Sequence, residues 1–340
     1  MVGKMNDRII ITGGLGYIGS HILVELGSQY DIKIIDNLSN SAISTLEQIL
    51  KITSINYNLQ VIDVLDTNRL IDSFIEFKPT LVLHLAGKKS VPESINFPLE
   101  YYENNVQGTI SVLKAMDASD CKKIIFSSSA TVYGNPEYLP IDERHPTQPL
   151  NPYGESKLMA EKVIQSWCET DMDKSAISLR YFNPIGAHHS AKLCENGPQR
   201  STNLMPTLLR SINNDDLDFT VFGNSYDTED GSAIRDYIHV EDLALAHLSA
   251  LEQLDKITGY TIYNVGTGKG TSVFEIIKSF EIANGVSVQF KVGSNRNGDA
   301  PEIWATPKKI SKDTGWSANK SVMQMCKDAW CAHKEVNEQK

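Results

Sequence analysis

The sequence predicts an α/β fold, a doubly wound parallel sheet with helices on both faces, joined to a smaller α/β domain. Three observations carry this expectation. Short β-branched runs alternate with stretches of helical periodicity from Ile9 to Tyr181. A glycine-rich turn joins the first strand to the first helix, and an acidic residue closes the second strand. Past Phe182 the alternation gives way to Asn183–Thr202, rich in Pro, Gly, His and Asn, and then to shorter mixed elements.

Ile9–Ile11 ends at Thr12-Gly13-Gly14, as a strand buried on both faces would. Ile18, Ile22 and Leu26 then recur at helical spacing, and Gly27 is placed to stop that helix. A second strand, Ile32–Ile35, ends at Asp36. Further strands are expected at Gln60–Ile62, Thr80–Leu85, Lys123–Ser127 and Ala176–Tyr181, with helices at Thr67–Phe77, Pro98–Met116 and Pro152–Cys168. Beyond the loop, helices are expected near Leu204–Ile212, Val240–Leu254 and Val273–Asn284, and strands near Phe219–Phe222 and Tyr260–Val265.

The chain has 340 residues, with 32 Lys plus Arg against 42 Asp plus Glu, a formal net charge of −10. That balance argues against a general nucleic-acid binder, which needs a basic face. Hydrophobic residues at 41% and charged ones at 22% suit an ordinary globular chain. No apolar run approaches a membrane span. Met1–Arg8 lack the apolar segment of a secretory signal, so a cytoplasmic protein with no membrane partner is expected. Cys121, Cys168, Cys194, Cys326 and Cys331 form no CxxC pair and no zinc spacing, and read as free thiols. His188 and His189 are adjacent, which suits a loop better than a metal site. No metal is expected.

The turn Thr12-Gly13-Gly14-Leu15-Gly16-Tyr17-Ile18-Gly19 places Gly13, Gly16 and Gly19 at GxxGxxG spacing. Glycines there permit a tight turn, a close approach of backbone to a pyrophosphate, and close packing of helix on strand. The helix N-terminus then offers unpaired N–H groups to phosphates. Asp36 closes the second strand about 20 residues on, where a carboxylate accepts from ribose hydroxyls and repels a 2′-phosphate. The expected cofactor is NAD, with uncharged Asn37 beside it. Asp63 is placed either for an adenine amino group or for a plain strand-end turn. The reading is a Rossmann domain over residues 1–182 plus about 237–262, and a substrate domain over about 183–236 plus 263–340.

Asn151-Pro152-Tyr153-Gly154-Glu155-Ser156-Lys157 carries a Tyr-x-x-x-Lys pair. Asn151 is a good N-cap and Pro152 suits the first helical position, which puts Tyr153 in the first turn and Lys157 on the same face. A phenol titrates near pH 10, but a nearby ammonium and a nicotinium ring both favour phenolate. Without a dinucleotide site the pair would read as a packing tyrosine and a solvated lysine. Beside one, it reads as catalytic. Ser127-Ser128-Ser129 ends a strand at the ligand-binding edge of the sheet, as a hydroxyl donor to the reacting oxygen or equally as a polar strand end. Lys89 and Asn104 are further candidates near the cofactor.

Thr12–Gly19, Asp36-Asn37-Leu38, Ser127–Gly134, the Tyr153/Lys157 pair and Tyr181-Phe182-Asn183-Pro184 together resemble the extended short-chain dehydrogenase/reductase family. The resemblance continues through Asn203-Leu204-Met205-Pro206, Asp227–Gly231, Arg235-Asp236-Tyr237-Ile238-His239 and Arg296–Pro301, segments specific to its sugar-nucleotide epimerases. It spans nearly the whole chain. It implies bound NAD and reversible inversion at C4 of a UDP-hexose through a transient 4-keto sugar. UDP-glucose and UDP-galactose are the implied pair, with their N-acetylated counterparts as additional or alternative substrates.

By the same resemblance, Tyr153 takes the proton of the 4-hydroxyl, Lys157 holds the nicotinamide ribose and lowers the tyrosine pKa, and Ser129 hydrogen-bonds the 4-oxygen. Gly13, Gly16, Tyr17, Ile18, Gly19, Asp36, Asn37, Asp63, Val64, Leu85, Ala86, Lys89, Asn104 and Phe182 join those three in the implied cofactor surface. Arg235 and Arg296 would grip the diphosphate through charge-assisted hydrogen bonds. Asn183, Asn203, Leu204, Phe222 and Asp299 would line the nucleotide and sugar. A homodimer through a helical face is also implied.

Two departures bear on substrate choice. Ile303 stands where relatives restricted to glucose and galactose carry a bulky tyrosine, and a smaller residue there goes with room for a 2-N-acetyl group. Asn295-Arg296 stands where relatives have a basic pair. A sugar-nucleotide 4,6-dehydratase would need an Asp-Glu pair at Ala130 and Thr131, which have no acid–base chemistry to offer. A silent NAD-binding regulatory protein should have lost Ser129, Tyr153 or Lys157, and all three are present.

Overall fold

The structure, a computed structural model, describes residues 7–195, 203–212, 219–295 and 300–338. The expectations on Arg296 and Asp299, and the 196–202 part of the Pro- and Gly-rich loop, lie outside the described residues.

The first half of the chain runs β1 (Arg8–Thr12), α1 (Tyr17–Leu26), β2 (Asp31–Asp36), α2 (Ile43–Thr53), β3 (Asn58–Val61), α3 (Thr67–Phe77) and β4 (Leu81–His84). It continues with α4 (Val91–Asn96), α5 (Pro98–Tyr101), α6 (Gly108–Ala118), β5 (Lys123–Ser129), α7 (Pro152–Cys168) and β6 (Ser175–Tyr181). Then follow β7 (Asn183–Ile185), α8 (Leu204–Ile212), β8 (Thr220–Phe222), β9 (Ile234–Arg235), β10 (Tyr237–His239), α9 (Val240–Leu254) and β11 (Gly259–Val265). The chain ends with β12 (Thr271–Ser272), α10 (Val273–Asn284), β13 (Lys291–Gly293), β14 (Glu302–Ile303), α11 (Lys308–Thr314) and α12 (Val322–Glu338).

Seven strands form one sheet in the order β11-β6-β5-β4-β1-β2-β3, and each neighbouring pair is parallel. Period-two alternation divides its side chains between two cores. Ile9 and Ile11 enter the layer with Ile22, Leu26 and Leu243, under α1 and α9. Ile10 enters the opposite layer with Phe74, Val112 and Ile164, under α3, α6 and α7. All three isoleucines are fully shielded, each contributing about 1.5–3 kcal/mol of burial. The strand order reverses between β1 and β4, the switch point where ligands of doubly wound sheets bind. Small two- and three-stranded sheets, β10-β7, β12-β9-β14 and β13-β8, carry the remaining strands. A further core containing Leu208, Ile276, Phe280 and Met325 joins α8, α10 and α12. Among the described residues no helix is long and apolar enough to cross a membrane.

The structure corrects the expected elements in three places. The third strand is Asn58–Val61 rather than Gln60–Ile62, because pairing with Lys33–Asp36 rather than local hydrophobicity sets an edge strand. Pro98–Met116 is not one helix: a π-helical turn, Tyr102–Gln107, separates α5 from α6. Such turns gather at functional sites. Helices α2, α4, α11 and α12 had no counterpart in the expectation. In α2 Leu46, Ile49 and Ile52 pack on the core at three-residue steps, a periodicity that was there to be read.

Candidate active site

The switch point is built from glycine. Gly13 has φ +70°, and a Cβ there would lie 2.7 Å from the Ala86 nitrogen, so only glycine lets the turn press against the end of β4. Gly16 N-caps α1 without a side-chain hydrogen bond, and a Cβ on it would meet only the Gly13 oxygen within 4 Å. The N-terminus of α1 therefore stays uncovered. Tyr17 anchors the turn by donating to the Gly186 carbonyl at 2.8 Å, while Ile18 packs on the core below. A groove of about 430 Å³ opens beside this turn, lined by Gly16, Tyr17, Ser39, Asn40, Ser41 and Lys89 among others.

Asp36 ties the two loops of the groove together. One carboxylate oxygen accepts the Leu15 N–H at 3.0 Å, and the other accepts the Leu38 N–H at 2.9 Å and the Ser41 hydroxyl at 2.8 Å. Asn37 donates to Asp63 at 2.8 Å, and Asp63 also accepts the Leu65 N–H at 2.9 Å. Asp63 thus makes the strand-end turn and also fixes Asn37. Val64 is buried against the Gly108 position of α6, and the Leu85 N–H continues β4 by donating to Thr12 at 3.0 Å. His84 is a core ring between Thr12 and Thr109, pushed down to about 3 by burial and then by the charge of Lys157.

The π-turn explains its asparagines. Asn104 and Asn105 both accept the Lys88 N–H, at 3.1 and 2.8 Å, and Asn105 donates to Ser156 at 2.9 Å. The loop after β4 is fastened in this way to the helix that carries the Tyr-x-x-x-Lys pair.

That helix, α7, starts as expected. Asn151 accepts the Gly154 N–H at 2.9 Å, with proline in the first turn. Tyr153 meets Tyr101 edge to face at 6.3 Å and lies close to Ser129, at the end of β5. Ser129 Oγ accepts from Thr131 N–H at 3.2 Å and Thr131 Oγ1 at 2.9 Å, which leaves its own hydroxyl hydrogen to donate. Lys157 is buried, donates to the Ser127 carbonyl at 2.8 Å and lies 4.9 Å above the Phe126 ring. Burial pushes its ammonium down to about 8, with Glu161 opposing. Burial pushes the Tyr153 phenol up, with the Ser129 hydroxyl opposing. In the protein without its cofactor, loss of hydration therefore dominates the phenol, and the expected lowering by Lys157 together with a nicotinium ring belongs to the occupied site.

On the other side of the cleft, β9 and β14 set Arg235 beside Ile303 in register. Arg235 donates to the carbonyls of Ile234 at 2.8 Å and Pro301 at 3.3 Å. Asp236, fully buried, accepts from Thr267, Gly268 and Ala305 and so locks this region to the end of β11. Asn183 begins β7 exposed, Phe222 ends β8 42% exposed, Asn203 precedes α8, and Leu204 packs on the core of α8, α10 and α12. Phe182 is buried with Tyr133, Leu158 and Ala305, and Ile303 packs against them.

The two adjacent histidines lie in a loop, and Glu241 of α9 reaches them. Glu241 already pairs with His189 at 2.7 Å and with Lys320 at 2.5 Å. The ammonium of Lys320 opposes a cation at that place.

Residues 9–266 match the model of the NAD dependent epimerase/dehydratase family. The chain belongs to the NAD dependent epimerase/dehydratase family. A UDP-glucose 4-epimerase of Bacillus subtilis is 44% identical over 323 residues, covering 95% of each chain. A UDP-glucose-4-epimerase from Stenotrophomonas maltophila, solved with bound NAD and formylated UDP-arabinopyranose, superposes with TM-score 0.95 at 38% identity, covering 98% of this chain and 100% of that one. The UDP-glucose 4-epimerase from Bifidobacterium longum in complex with NAD+ and UDP gives TM-score 0.93 at 38% identity, over 97% and 99% of the two chains.

The residues present fit the dinucleotide of this epimerase/dehydratase family. The glycine turn is uncapped and open, and a carboxylate closes β2 at the groove. Sequence reasoning missed Ser39, Asn40 and Ser41, which line the groove and whose Ser/Asn-rich run was the available signal. It also missed Glu161, four residues beyond Lys157 on the same buried face, which accepts from Ser128 at 2.5 Å and pairs with Arg180 at 2.6 Å. Nothing local pointed to Glu195, which pairs with Lys89 at 2.7 Å.

Proposed function

We propose that the protein is a UDP-hexose 4-epimerase that interconverts UDP-glucose and UDP-galactose with NAD held at the β1–β4 switch point. The observation that carries this reading is the meeting of Ser129, Tyr153 and Lys157 at the carboxyl end of β5, beside the uncapped glycine turn. Gly13, Gly16, Gly19, Asp36, Lys89 and Lys157 would hold the cofactor. When bound, NAD supplies reversible acceptance of the hydride at C4. Tyr153 takes the proton of the 4-hydroxyl and returns it, and Ser129 donates to the 4-oxygen while the carbonyl exists. The positive charge that Tyr153 needs comes from the occupied site as a whole, since burial alone holds its proton on. Arg235 supplies a guanidinium for the diphosphate, which lets the sugar turn over between two hydride faces while the nucleotide stays fixed.

Ala130 and Thr131 follow Ser129, and Thr131 is spent on orienting it, which favours epimerisation over dehydration. The reading extends to N-acetylated UDP-hexoses, because an aliphatic Ile303 leaves more room than a ring at the pocket end. Residues 1–182 plus about 237–262 serve NAD and the remainder the nucleotide sugar. Five free cysteines support a reducing, cytoplasmic compartment. Ile95, Phe97 and Leu99, 62%, 53% and 80% exposed, support a homodimer through α4 and α5.

The test is to incubate the purified protein with UDP-galactose and with UDP-N-acetylgalactosamine and to resolve the epimers. Conversion without net absorbance at 340 nm is expected. Stoichiometric release of a reduced cofactor, or a dehydrated product, would overturn the reading.

A further inference from the structure

One oxygen of Glu195 accepts from residues in both halves of the site. Lys89 Nζ lies 2.7 Å from Oε1, and Asn203 Nδ2 lies 3.1 Å from the same atom. Lys89 leaves the end of β4 on the cofactor side, its ammonium 5.8 Å from the centre of the Tyr17 ring. Asn203 stands immediately before α8, on the nucleotide-sugar side. The Glu195 side chain is only 10% exposed, so these donors satisfy its carboxylate in place of water. Glu195 also lines the groove beside α1 and a smaller cavity that reaches Met205 and Pro206 of α8.

We propose that Glu195 is a positioning residue that couples the hold on NAD to occupancy of the nucleotide-sugar site, by holding Lys89 when that site is empty and releasing it to the cofactor when the site fills. The inference rests on the reading that NAD and a UDP-sugar share this cleft. A diphosphate that recruits Asn203 removes one donor from Oε1 and brings negative charge toward the carboxylate. The lost tether frees the Glu195 side chain and the added negative charge repels its carboxylate, so the carboxylate withdraws and leaves Lys89 to the cofactor's own phosphates. With the site empty, the same lysine is neutralised by Glu195 and the cofactor has one cation fewer. Such coupling is reciprocal, so the factor by which UDP tightens NAD is also the factor by which NAD tightens UDP.

The experiment measures the rate at which NAD leaves the holoenzyme, trapped by an excess of an NAD-consuming dehydrogenase, with and without saturating UDP. In the native enzyme UDP should slow release by about fivefold or more. Glu195→Gln keeps the shape and can still accept from Asn203, yet should bring the ratio of the two rates close to one. Lys89→Met should do the same, and the two substitutions together should lower the ratio no further. A purely structural role would change both rates together and leave their ratio native. A native ratio in Glu195→Gln, or no UDP effect in the native enzyme, overturns the proposal. A native chain that neither binds UDP nor interconverts UDP-hexoses overturns the functional reading itself, and this coupling with it.

Discussion

Ile303 lies in register with Arg235 across the parallel pair β14–β9, and its carbonyl accepts the Asp236 N–H at 3.1 Å. The proposed end of the sugar pocket and the proposed diphosphate grip are therefore one piece of structure. Ile303 also packs on the cluster that holds Phe182 and Leu158, next to Lys157. A tyrosine here would intrude on a 2-N-acetyl group before it troubled a hydroxyl. Ile303→Tyr is expected to lower kcat/KM for UDP-N-acetylgalactosamine roughly tenfold more than for UDP-galactose. Parallel time courses with the two sugars check this, and equal losses would show that position 303 is not the filter.

Tyr153 has the clearest chemical test. Phenylalanine keeps the ring against Tyr101 and removes only the hydroxyl that meets Ser129. Tyr153→Phe should lose about 10²–10⁴-fold in kcat, the usual contribution of a positioned acid–base group. Binding of NAD and UDP, read by calorimetry, should remain within a few-fold of native. Substantial turnover in this variant would assign the proton transfer to another group.

Lys157 sets a pH window. Lysine titrates near 10.4 in an unfolded chain, whereas burial brings Lys157 to about 8. Between those values the unfolded state holds more protons, so this group's contribution to stability rises with pH across the interval; its burial penalty is largest below pH 8. Activity is expected to run the other way, because the proposed mechanism uses the ammonium. The kcat/KM profile should fall above about pH 8 as that proton leaves. In Lys157→Arg the charge persists at every accessible pH, so its residual activity should not fall between pH 7 and 9. A native alkaline limb in that variant would trace the fall to a different group.

The sheet was legible because its strands are buried on both faces. Ile9–Ile11 and Ile32–Ile35 are uninterrupted apolar runs, and their glycine and aspartate ends name the cofactor edge. The helix of the Tyr-x-x-x-Lys pair announced itself by Asn151, Pro152 and the four-residue step to Lys157. The π-turn was not legible, since Tyr102–Gln107 carries an unremarkable helical composition and its purpose, fastening Lys88, is tertiary. Glu195 and Asp236 were hidden for the same reason: their partners Lys89 and Ala305 are remote in sequence. Spacing places Lys157 near Tyr153 without stating how much water both groups lose, so the opposing effect of burial on the phenol was not legible.

The apolar surface at α4 and α5 yields the last prediction. Ile95, Phe97 and Leu99 are 62%, 53% and 80% exposed within five residues, and α4 and α5 pack beside α7, whose Met159 is 38% exposed. Single exposed apolar side chains are ordinary, but a cluster of this kind marks an interface. The proposed homodimer would cover it, each large side chain contributing about 1.5–3 kcal/mol when fully buried. The native protein should sediment at twice the 37.8 kDa chain mass. Phe97→Glu combined with Leu99→Glu leaves the fold's core untouched and should shift it to the single-chain mass at micromolar concentration. A native protein that sediments as a single chain, or a double variant that remains dimeric, would move the interface elsewhere or remove it.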